Sequence, residues 1–249
     1  MKVISYGGGV QSTALIVLAA QGEIDYKLAL FSNVGDDSEN PATIEYVREI
    51  ATPYAKRHGV EVRTIWKVRR DGSQDTLMDM IDRQKRSIPI PIRMEGTGKP
   101  GNRKCTGEFK IKVIAKETKR LGATPDAPAT VALGISTDEW RRMRDSSIPH
   151  QVNDYPLIDL KLSRDDCVRI IGEAGLPIPE KSSCYFCPFK TGAQWDELKR
   201  DHPDLYEKSQ NLERMLIDRR LSLGLRPAYL RKDGLESDAT CDIGGYCHS

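Results

Sequence analysis

The chain lacks the long apolar runs of a membrane protein. Of its 249 residues, 39% are apolar and 30% are charged. No apolar stretch approaches the roughly 18 to 20 residues that a membrane-spanning helix needs. Met1 leads straight into a strand-like segment, without the basic region and apolar core of a signal peptide. We therefore expect a cytoplasmic protein that does not associate with membranes.

A strong charge of one sign is also missing. The formal net charge of +2 is too close to neutral to indicate a nucleic-acid partner by itself. Residues 67–104 are more basic, with ten Lys or Arg against five Asp or Glu. This local excess fits a solvated loop region first, and an anion-binding or nucleic-acid surface second.

Histidine is scarce, and the patterns in which it does chemistry are absent. The four histidines lie at a helix end, in polar or proline-flanked loops and near the C-terminus. No His-Glu-x-x-His run and no Ser-His-Asp constellation occurs in the sequence. We therefore expect the histidines to lie at the surface and the chemistry to depend on other groups.

Strand-like and helix-like segments alternate along much of the chain. Apolar or alternating runs at residues 2–5, 27–32, 60–66 and 129–135 have the length of strands. Apolar residues at helical spacing predict helices at residues 11–21, 41–58, 106–121, 164–174 and 204–223. This alternation predicts an α/β fold with a doubly wound, mostly parallel sheet that is covered on both faces.

Two prolines divide the sequence near its last quarter. Pro177 and Pro179 interrupt the helical pattern, and a cysteine-containing segment follows them. We expect an α/β domain at residues 1–176 and a small, helical, cysteine-containing region at residues 177–249.

The stretch "SYGGGVQSTAL" (residues 5–15) joins the first strand to the first helix. Glycines let the backbone approach an anion closely, and the N–H groups that begin a helix can bind phosphate. A P-loop would require Gly-Lys-Ser/Thr, and a dinucleotide fingerprint would require a later glycine, and the sequence has neither. The stretch therefore predicts a phosphate cradle, with a featureless turn as the alternative.

Residues 7–12 (Gly-Gly-Gly-Val-Gln-Ser) resemble the PP-loop, Ser-Gly-Gly-x-Asp-Ser, of the ATP pyrophosphatase superfamily. The similarity is to the branch that contains the phosphoadenylyl-sulfate (PAPS) reductases. Gly7 stands at the first serine, with Ser5 nearby, and Gln11 stands at the aspartate. The resemblance implies that six residues hold the phosphates of an adenine nucleotide, with Ser12 also acting in catalysis: Ser5, Gly7, Gly8, Gly9, Gln11 and Ser12.

Two further segments resemble the same branch. "FSNVGDDSENPATIEYV" (residues 31–47) is similar to the segment whose strand end contacts adenine, which implies that role for Ser32, Asn33 and Gly35. "LGISTDEWRRMRDS" (residues 133–146) is similar to the segment that closes over the nucleotide. It implies nucleotide contacts for Gly134 and Ile135. It also implies stabilisation of developing charge by an arginine among residues 141, 142 and 144, with Arg141 and Arg144 as the candidates for catalysis.

The six cysteines indicate metal or redox chemistry rather than disulfides in a cytosolic chain. Cys184 and Cys187 have the Cys-x-x-Cys spacing of a metal-binding or redox turn. "RKCTGEFK", around Cys105, resembles a segment of the DNA-phosphorothioation sulfurtransferases, in which this cysteine joins a Cys-x-x-Cys pair around a [4Fe-4S] cluster. Cys167 lies in a helical pattern and is expected to fill the core.

The sequence leaves the identity of the fourth cluster ligand open. Cys241 or Cys247 could complete the site, or three cysteines could leave one iron open for sulfide. Cys247 also resembles the C-terminal catalytic thiol of the assimilatory reductases. Zn²⁺ is the rival metal, because four thiolates suit both.

The resemblance as a whole implies an ATP-dependent enzyme of sulfur metabolism. With Mg²⁺ on the phosphates, it would adenylate an acceptor, release AMP and pyrophosphate, and transfer sulfur. The acceptor could be a nucleic acid or a small molecule, and the chain could form a homodimer. The alternatives are a PAPS or adenylyl-sulfate (APS) reductase that produces sulfite, and a non-catalytic nucleotide- or nucleic-acid-binding module with structural zinc.

Overall fold

The computed structural model describes residues 1–95, 100–232 and 234–236. Five parallel strands form the main sheet, in the order β3-β2-β1-β5-β6, and two short antiparallel strands, β4 and β7, pair separately. The strands of the described residues are β1 (Lys2–Tyr6), β2 (Leu28–Asn33), β3 (Glu61–Trp66), β4 (Arg93–Met94), β5 (Ala129–Leu133), β6 (Gln151–Asp154) and β7 (Ala228–Tyr229).

Helices connect the strands of the main sheet and form most of the last third of the described chain. They are α1 (Val10–Gln21), α2 (Pro41–Glu45), α3 (Thr52–Arg57), α4 (Leu77–Arg83), α5 (Lys104–Thr106), α6 (Lys112–Arg120), α7 (Pro156–Asp159), α8 (Arg164–Glu173), α9 (Gly192–Asp201) and α10 (Pro203–Ser222). π-helical turns at Tyr46–Ala51 and Gly107–Ile111 join α2 to α3 and α5 to α6, and Thr137–Arg142 is a 3₁₀ helix. No helix of the described residues combines the length and the apolarity needed to span a bilayer.

The main sheet is covered on both faces, which confirms the predicted doubly wound α/β fold. Successive side chains of a strand point to opposite faces. Ile4 of β1 therefore packs in the cluster that contains the apolar side of α1. Its neighbour Val3 packs with Val113 and Ile114 of α6 in a second cluster. One strand thus anchors both layers of helices, as in parallel sheets generally.

Two compact units make up the chain. The first comprises Met1–Thr76 and Thr106–Ser183 and holds the main sheet. The second comprises the described residues of Leu77–Cys105 and those from Cys184 onward, and it holds α4, α9, α10 and the small β4–β7 ladder. The division at residues 1–176 and 177–249 stays a prediction.

A buried carboxylate organises the second unit. Glu213 lies on α10 with 2% of its surface exposed. It accepts hydrogen bonds from the backbone N–H groups of Leu230 and Leu235, both at 2.6 Å. Burial raises the pKa of this carboxyl group, while the backbone donors act in the opposite direction. Glu213 thus holds two separate points of the segment after α10.

Replacing this side chain should destabilise the protein strongly. Glu213→Ala leaves two buried N–H groups without an acceptor, and each costs about 1 to 3 kcal/mol. We expect a loss of about 2 to 4 kcal/mol in the free energy of unfolding, measured by denaturant titration. The exposed Glu207, on the same helix, is the control. Glu207→Ala should change stability by no more than about 0.5 kcal/mol, and equal losses in the two variants would contradict the assigned role of Glu213.

Candidate functional site

The carboxyl ends of β1 and β5 lie side by side at the centre of the main sheet. The chain runs from β1 outward to β2 and β3, and then returns to β5 on the other side of β1. Ser5 of β1 pairs with Leu133 of β5, so the loops that follow the two strands begin next to each other. In open α/β sheets this reversal of strand order is where ligands bind.

The glycine loop after β1 has the geometry of an anion cradle. Gly8 has a φ of 73°, a left-handed conformation that favours glycine. Gly9 caps α1 and has no side chain with which to bond the first-turn N–H groups, which leaves them for an outside acceptor. The Ser12 hydroxyl accepts from the Gly7 N–H at 3.2 Å and donates to the Gly9 carbonyl at 3.1 Å. Ser12 therefore also shapes the loop.

Gly134 packs directly on the first turn of α1. A Cβ atom on this residue would lie 2.8 Å from the Ser12 backbone nitrogen and 3.0 Å from the Gln11 carbonyl carbon. Backbone atoms cannot move aside like the end of a flexible side chain, so only glycine fits. The structure thus brings together the two predicted nucleotide segments, residues 7–12 and 134–135. Ile135, 7% exposed, is buried beside Gly134.

Gln11 links the cradle to two charged residues. Its Nε2 donates to Glu139 at 3.3 Å, and its Oε1 accepts from the Arg164 guanidinium at 3.2 Å. Glu139 also forms an ion pair with Arg142 at 2.6 Å. A neutral amide suits this place because it can donate to a carboxylate and accept from a guanidinium at once. No local pattern in the sequence predicts the contact of Arg164 with Gln11.

The two arginines predicted to act in catalysis differ in their contacts. The Arg144 guanidinium donates to the backbone carbonyls of Arg141 and Met143, at 2.7 and 2.5 Å. The Arg141 guanidinium lies 5.5 Å from the centroid of the exposed Trp140 ring. Arg144 therefore holds its own loop, while Arg141 has no carboxylate or carbonyl partner among the described residues. The catalytic roles of both stay a prediction.

The end of β2 is held by its own side chains. Ser32 Oγ donates to the Phe109 carbonyl at 2.5 Å. The Asn33 side chain donates to Asp36 at 2.7 Å and accepts from the Gly35 N–H at 2.8 Å. Gly35 has a φ of 119°, and a Cβ there would lie 2.6 Å from Thr76 Cβ. These side chains shape the turn after β2, so an adenine contact here would use the backbone.

Side chains that the sequence did not single out surround the glycine loop. A Cβ on Gly8 would lie 2.6 Å from Thr43 Cγ2, and one on Gly9 would lie 2.7 Å from Ser182 Oγ. Both neighbours are distant in the sequence, and no local pattern connects them to the glycines. The loop is thus glycine-rich partly because these hydroxyl residues pack against it.

Three predicted metal ligands belong to the second unit. The Cys187 N–H donates to the Cys184 carbonyl at 3.1 Å, which closes the Cys-x-x-Cys turn. The Cys105 N–H donates to the Pro89 carbonyl at 3.0 Å. The four cysteines in the described part of the chain are thiols. Cys167, in the first unit, is fully buried in the core, and burial raises the pKa of its thiol to about 11.

Electrostatics connect Cys105 to the Cys-x-x-Cys turn. Burial raises the pKa of the Cys187 thiol, and Cys105 acts in the same direction. The Phe189 N–H and the cations of Lys190 and Arg103 oppose the rise. A thiol that affects the ionisation of Cys187 is close enough to it for a shared cation to bind both as thiolates.

The ligand set is incomplete in the described part of the chain. Within residues 1–95, 100–232 and 234–236, no three Cys, His, Asp or Glu side chains stand in a metal-binding arrangement. Cys241 and Cys247 lie outside the described residues. The ligand assignments of all five cysteines and the catalytic role of Cys247 therefore stay predictions.

The comparisons with known proteins give little. No family model matches the chain, and no curated protein matches it. Among solved structures, the chain is similar to the U34-tRNA thiolase NcsA from Methanococcus maripaludis with its [4Fe-4S] cluster. The sequence identity is 12%, 85% of this chain and 70% of that chain are covered, and the TM-score is 0.41. Because this overlap is so weak, the assignment of the α/β fold rests on the strand order of the chain itself.

Proposed function

We propose that this chain is an ATP-dependent adenylyl-transfer enzyme that serves sulfur transfer. The observation that carries the proposal is the pair of loops at the strand-order reversal. The glycine loop opens α1 without a side-chain cap, and Gly134 is packed against the first turn of that helix. The proposal also rests on the resemblance of residues 7–12 to the PP-loop.

The chemistry begins with attack of an acceptor oxygen on the α-phosphorus of ATP. The bond between that phosphorus and the oxygen bridging to the β-phosphate breaks, and pyrophosphate leaves with both electrons of the bond. A sulfur nucleophile then displaces AMP from the adenylated acceptor. Neither step is assigned a histidine base, since pyrophosphate is a good leaving group in the first step and AMP in the second.

The protein acts mainly by placing charge and hydrogen-bond donors. N–H groups of the first turn of α1 bind phosphate oxygens, aided by the positive end of the helix dipole. The negative charge that develops on the α-phosphoryl oxygens needs a preorganised cation. Arg141 suits this role best, because Arg142 pairs with Glu139 and Arg144 bonds backbone carbonyls.

Two bound groups belong to the proposal. Mg²⁺ would neutralise the phosphates. The thiols of Cys105, Cys184 and Cys187 suit a [4Fe-4S] cluster, which would supply an iron that holds or passes on sulfur. Zn²⁺ takes the same ligands and is the alternative.

The products of ATP distinguish this reaction from other uses of the nucleotide. The anaerobically purified chain is incubated with Mg²⁺ and ATP labelled at the α-phosphate, together with cellular RNA, DNA or a small-molecule extract in turn. We expect AMP and pyrophosphate to form with one of the three fractions, which thereby identifies the acceptor class. Release of ADP would contradict the proposal. So would the absence of AMP and pyrophosphate above a protein-free control with all three fractions. Sulfite release from adenylyl sulfate would indicate a reductase instead.

A further inference from the structure

Glu39 is a buried carboxylate with an unsatisfied oxygen. Only 2% of the residue is exposed, and its Oε1 has no hydrogen-bond partner. No Lys, Arg or His in the described part of the chain forms an ion pair with it within 4.0 Å. Burying a charge without a partner is costly. The described part of the protein therefore supplies no cation to pair with the Glu39 carboxylate.

Two hydroxyl groups nearby are unsatisfied in the same way. The Thr43 Oγ1 and Ser183 Oγ atoms are buried and have no hydrogen-bond partner. The segments that carry them are joined, because the Asn40 N–H donates to the Ser183 carbonyl at 3.3 Å and the Thr43 N–H to the Asn40 carbonyl at 2.9 Å. Unsatisfied buried polar atoms are uncommon in folded proteins. Three such atoms on linked segments need an outside partner, such as a bound ion with its water shell.

This neighbourhood adjoins the glycine loop. Thr43 packs on Gly8, with its Cγ2 atom 2.6 Å from where a Cβ would be, and Ser182, next to Ser183, packs in the same way on Gly9 at 2.7 Å. A phosphate chain held by α1 would thus lie next to the two segments that carry Glu39, Thr43 and Ser183. Two anions side by side would repel each other unless a cation lay between them.

We propose that Glu39 binds the divalent cation that enters with the nucleotide. Its Oε1 would bind Mg²⁺ directly, and the hydroxyls of Thr43 and Ser183 would contact the ion or its water shell. Mg²⁺ prefers hard oxygen ligands and is usually held by one or two carboxylates plus substrate phosphates. The inference deepens the proposed function and rests on nucleotide binding at the glycine loop. It explains why a carboxylate is buried there without a protein cation.

The test compares Glu39→Gln with Glu45→Gln. Glu45 is exposed and lies on α2, so its substitution removes one negative charge without touching the cradle. ATP affinity is measured by calorimetry with Mg²⁺ and again with a chelator. Mn²⁺ binding is measured by electron paramagnetic resonance, with and without ATP, and thermal unfolding shows that each variant is folded.

We expect Mg²⁺ to strengthen ATP binding to the wild type and to Glu45→Gln. In Glu39→Gln the gain from Mg²⁺ should fall at least about tenfold, as should the affinity of the protein–ATP complex for Mn²⁺. Metal-free ATP should bind Glu39→Gln at least as well as the wild type, since one buried negative charge is gone. Glu39→Asp, which keeps the carboxylate on a shorter arm, should retain part of the metal response.

The outcomes separate the inference from the proposed function. Equal Mn²⁺ binding by the wild type and Glu39→Gln would overturn the inference and leave the proposed function standing. Loss of metal-free ATP binding in Glu39→Gln, or an unfolded Glu39→Gln together with a metal-insensitive Glu39→Asp, would also overturn it. Failure of the wild type to bind ATP under any condition would overturn the proposed function. If the wild type binds no ATP but its Mn²⁺ signal depends on Glu39, the cation site at Glu39 stands and only the proposed function falls. If the wild type binds neither ATP nor Mn²⁺, both the inference and the proposed function are overturned.

Discussion

Gly134→Ala is expected to weaken ATP binding by about 100-fold, because each lost hydrogen bond to a charged phosphate costs about 1.5 to 3 kcal/mol and about 1.4 kcal/mol is tenfold in affinity. The added Cβ would lie 2.8 Å from the Ser12 nitrogen and 3.1 Å from the Ser12 Cα. Neither atom can rotate away, so the first turn of α1 must shift or β5 must bend. The N–H groups that are proposed to bind phosphate would then point away from their ligand. Calorimetric titration with ATP measures the change.

The fold should survive this substitution. Overpacking of this kind costs about 1 to 3 kcal/mol, less than most domains possess. Gly172→Ala is the matched control, since a Cβ there meets nothing within 4 Å on α8. It should stabilise the helix by about 0.5 to 1 kcal/mol and leave ATP binding unchanged. Wild-type ATP affinity in Gly134→Ala would show that the cradle is not where the nucleotide binds.

The periodicity of the sequence predicted most of the α/β architecture. The predicted strand at residues 60–66 is β3 (Glu61–Trp66), and the predicted helix at residues 11–21 is α1 (Val10–Gln21). These elements are predictable because burial against one sheet imposes a regular spacing of apolar residues. The first helix is buried along much of its length, but its glycine start and its Gly22 end still mark its bounds.

The helices α4, α7 and α9 were not predicted, and the sequence contains a signal for α9. α9 begins after Thr191, whose side chain accepts from the Gln194 N–H while the Gln194 side chain bonds the Thr191 N–H. Threonine followed three residues later by glutamine is the pattern of such a capping box.

Other features of the site could not be read from one sequence. The contacts of Gln11 with Glu139 and Arg164 join residues more than 120 positions apart. Glu39 and Ser183 stand in segments whose sequence patterns concern other residues. Their oxygens become buried and unsatisfied only in the folded chain. Pairings of this range depend on topology, and a local pattern carries no information about them.

Cys187→Ser is expected to remove the bound cluster or metal ion. Cys105 is close enough to affect the ionisation of the Cys187 thiol, and the Cys187 N–H closes the Cys184–Cys187 turn. Serine keeps the size of the side chain, but its hydroxyl does not ionise to a soft thiolate ligand, so metal affinity should collapse.

Iron, zinc and acid-labile sulfide are measured in protein purified without air, together with absorbance at about 400 nm, where iron–sulfur clusters absorb. The control is Cys167→Ala, which removes a thiol buried in the core of the first unit and should lose stability but keep the metal. Iron with sulfide in the wild type and in Cys167→Ala, but not in Cys187→Ser, would support the cluster. Zinc in the wild type and in Cys167→Ala, but not in Cys187→Ser, would instead support a module with structural zinc.

Because a thiol with a raised pKa must lose its proton to bind either metal, metal uptake by the apoprotein should also weaken as the pH falls. Metal content that is the same in Cys187→Ser and the wild type at every pH would remove Cys187 from the ligand set, and with it the reason for assigning sulfur chemistry to this turn.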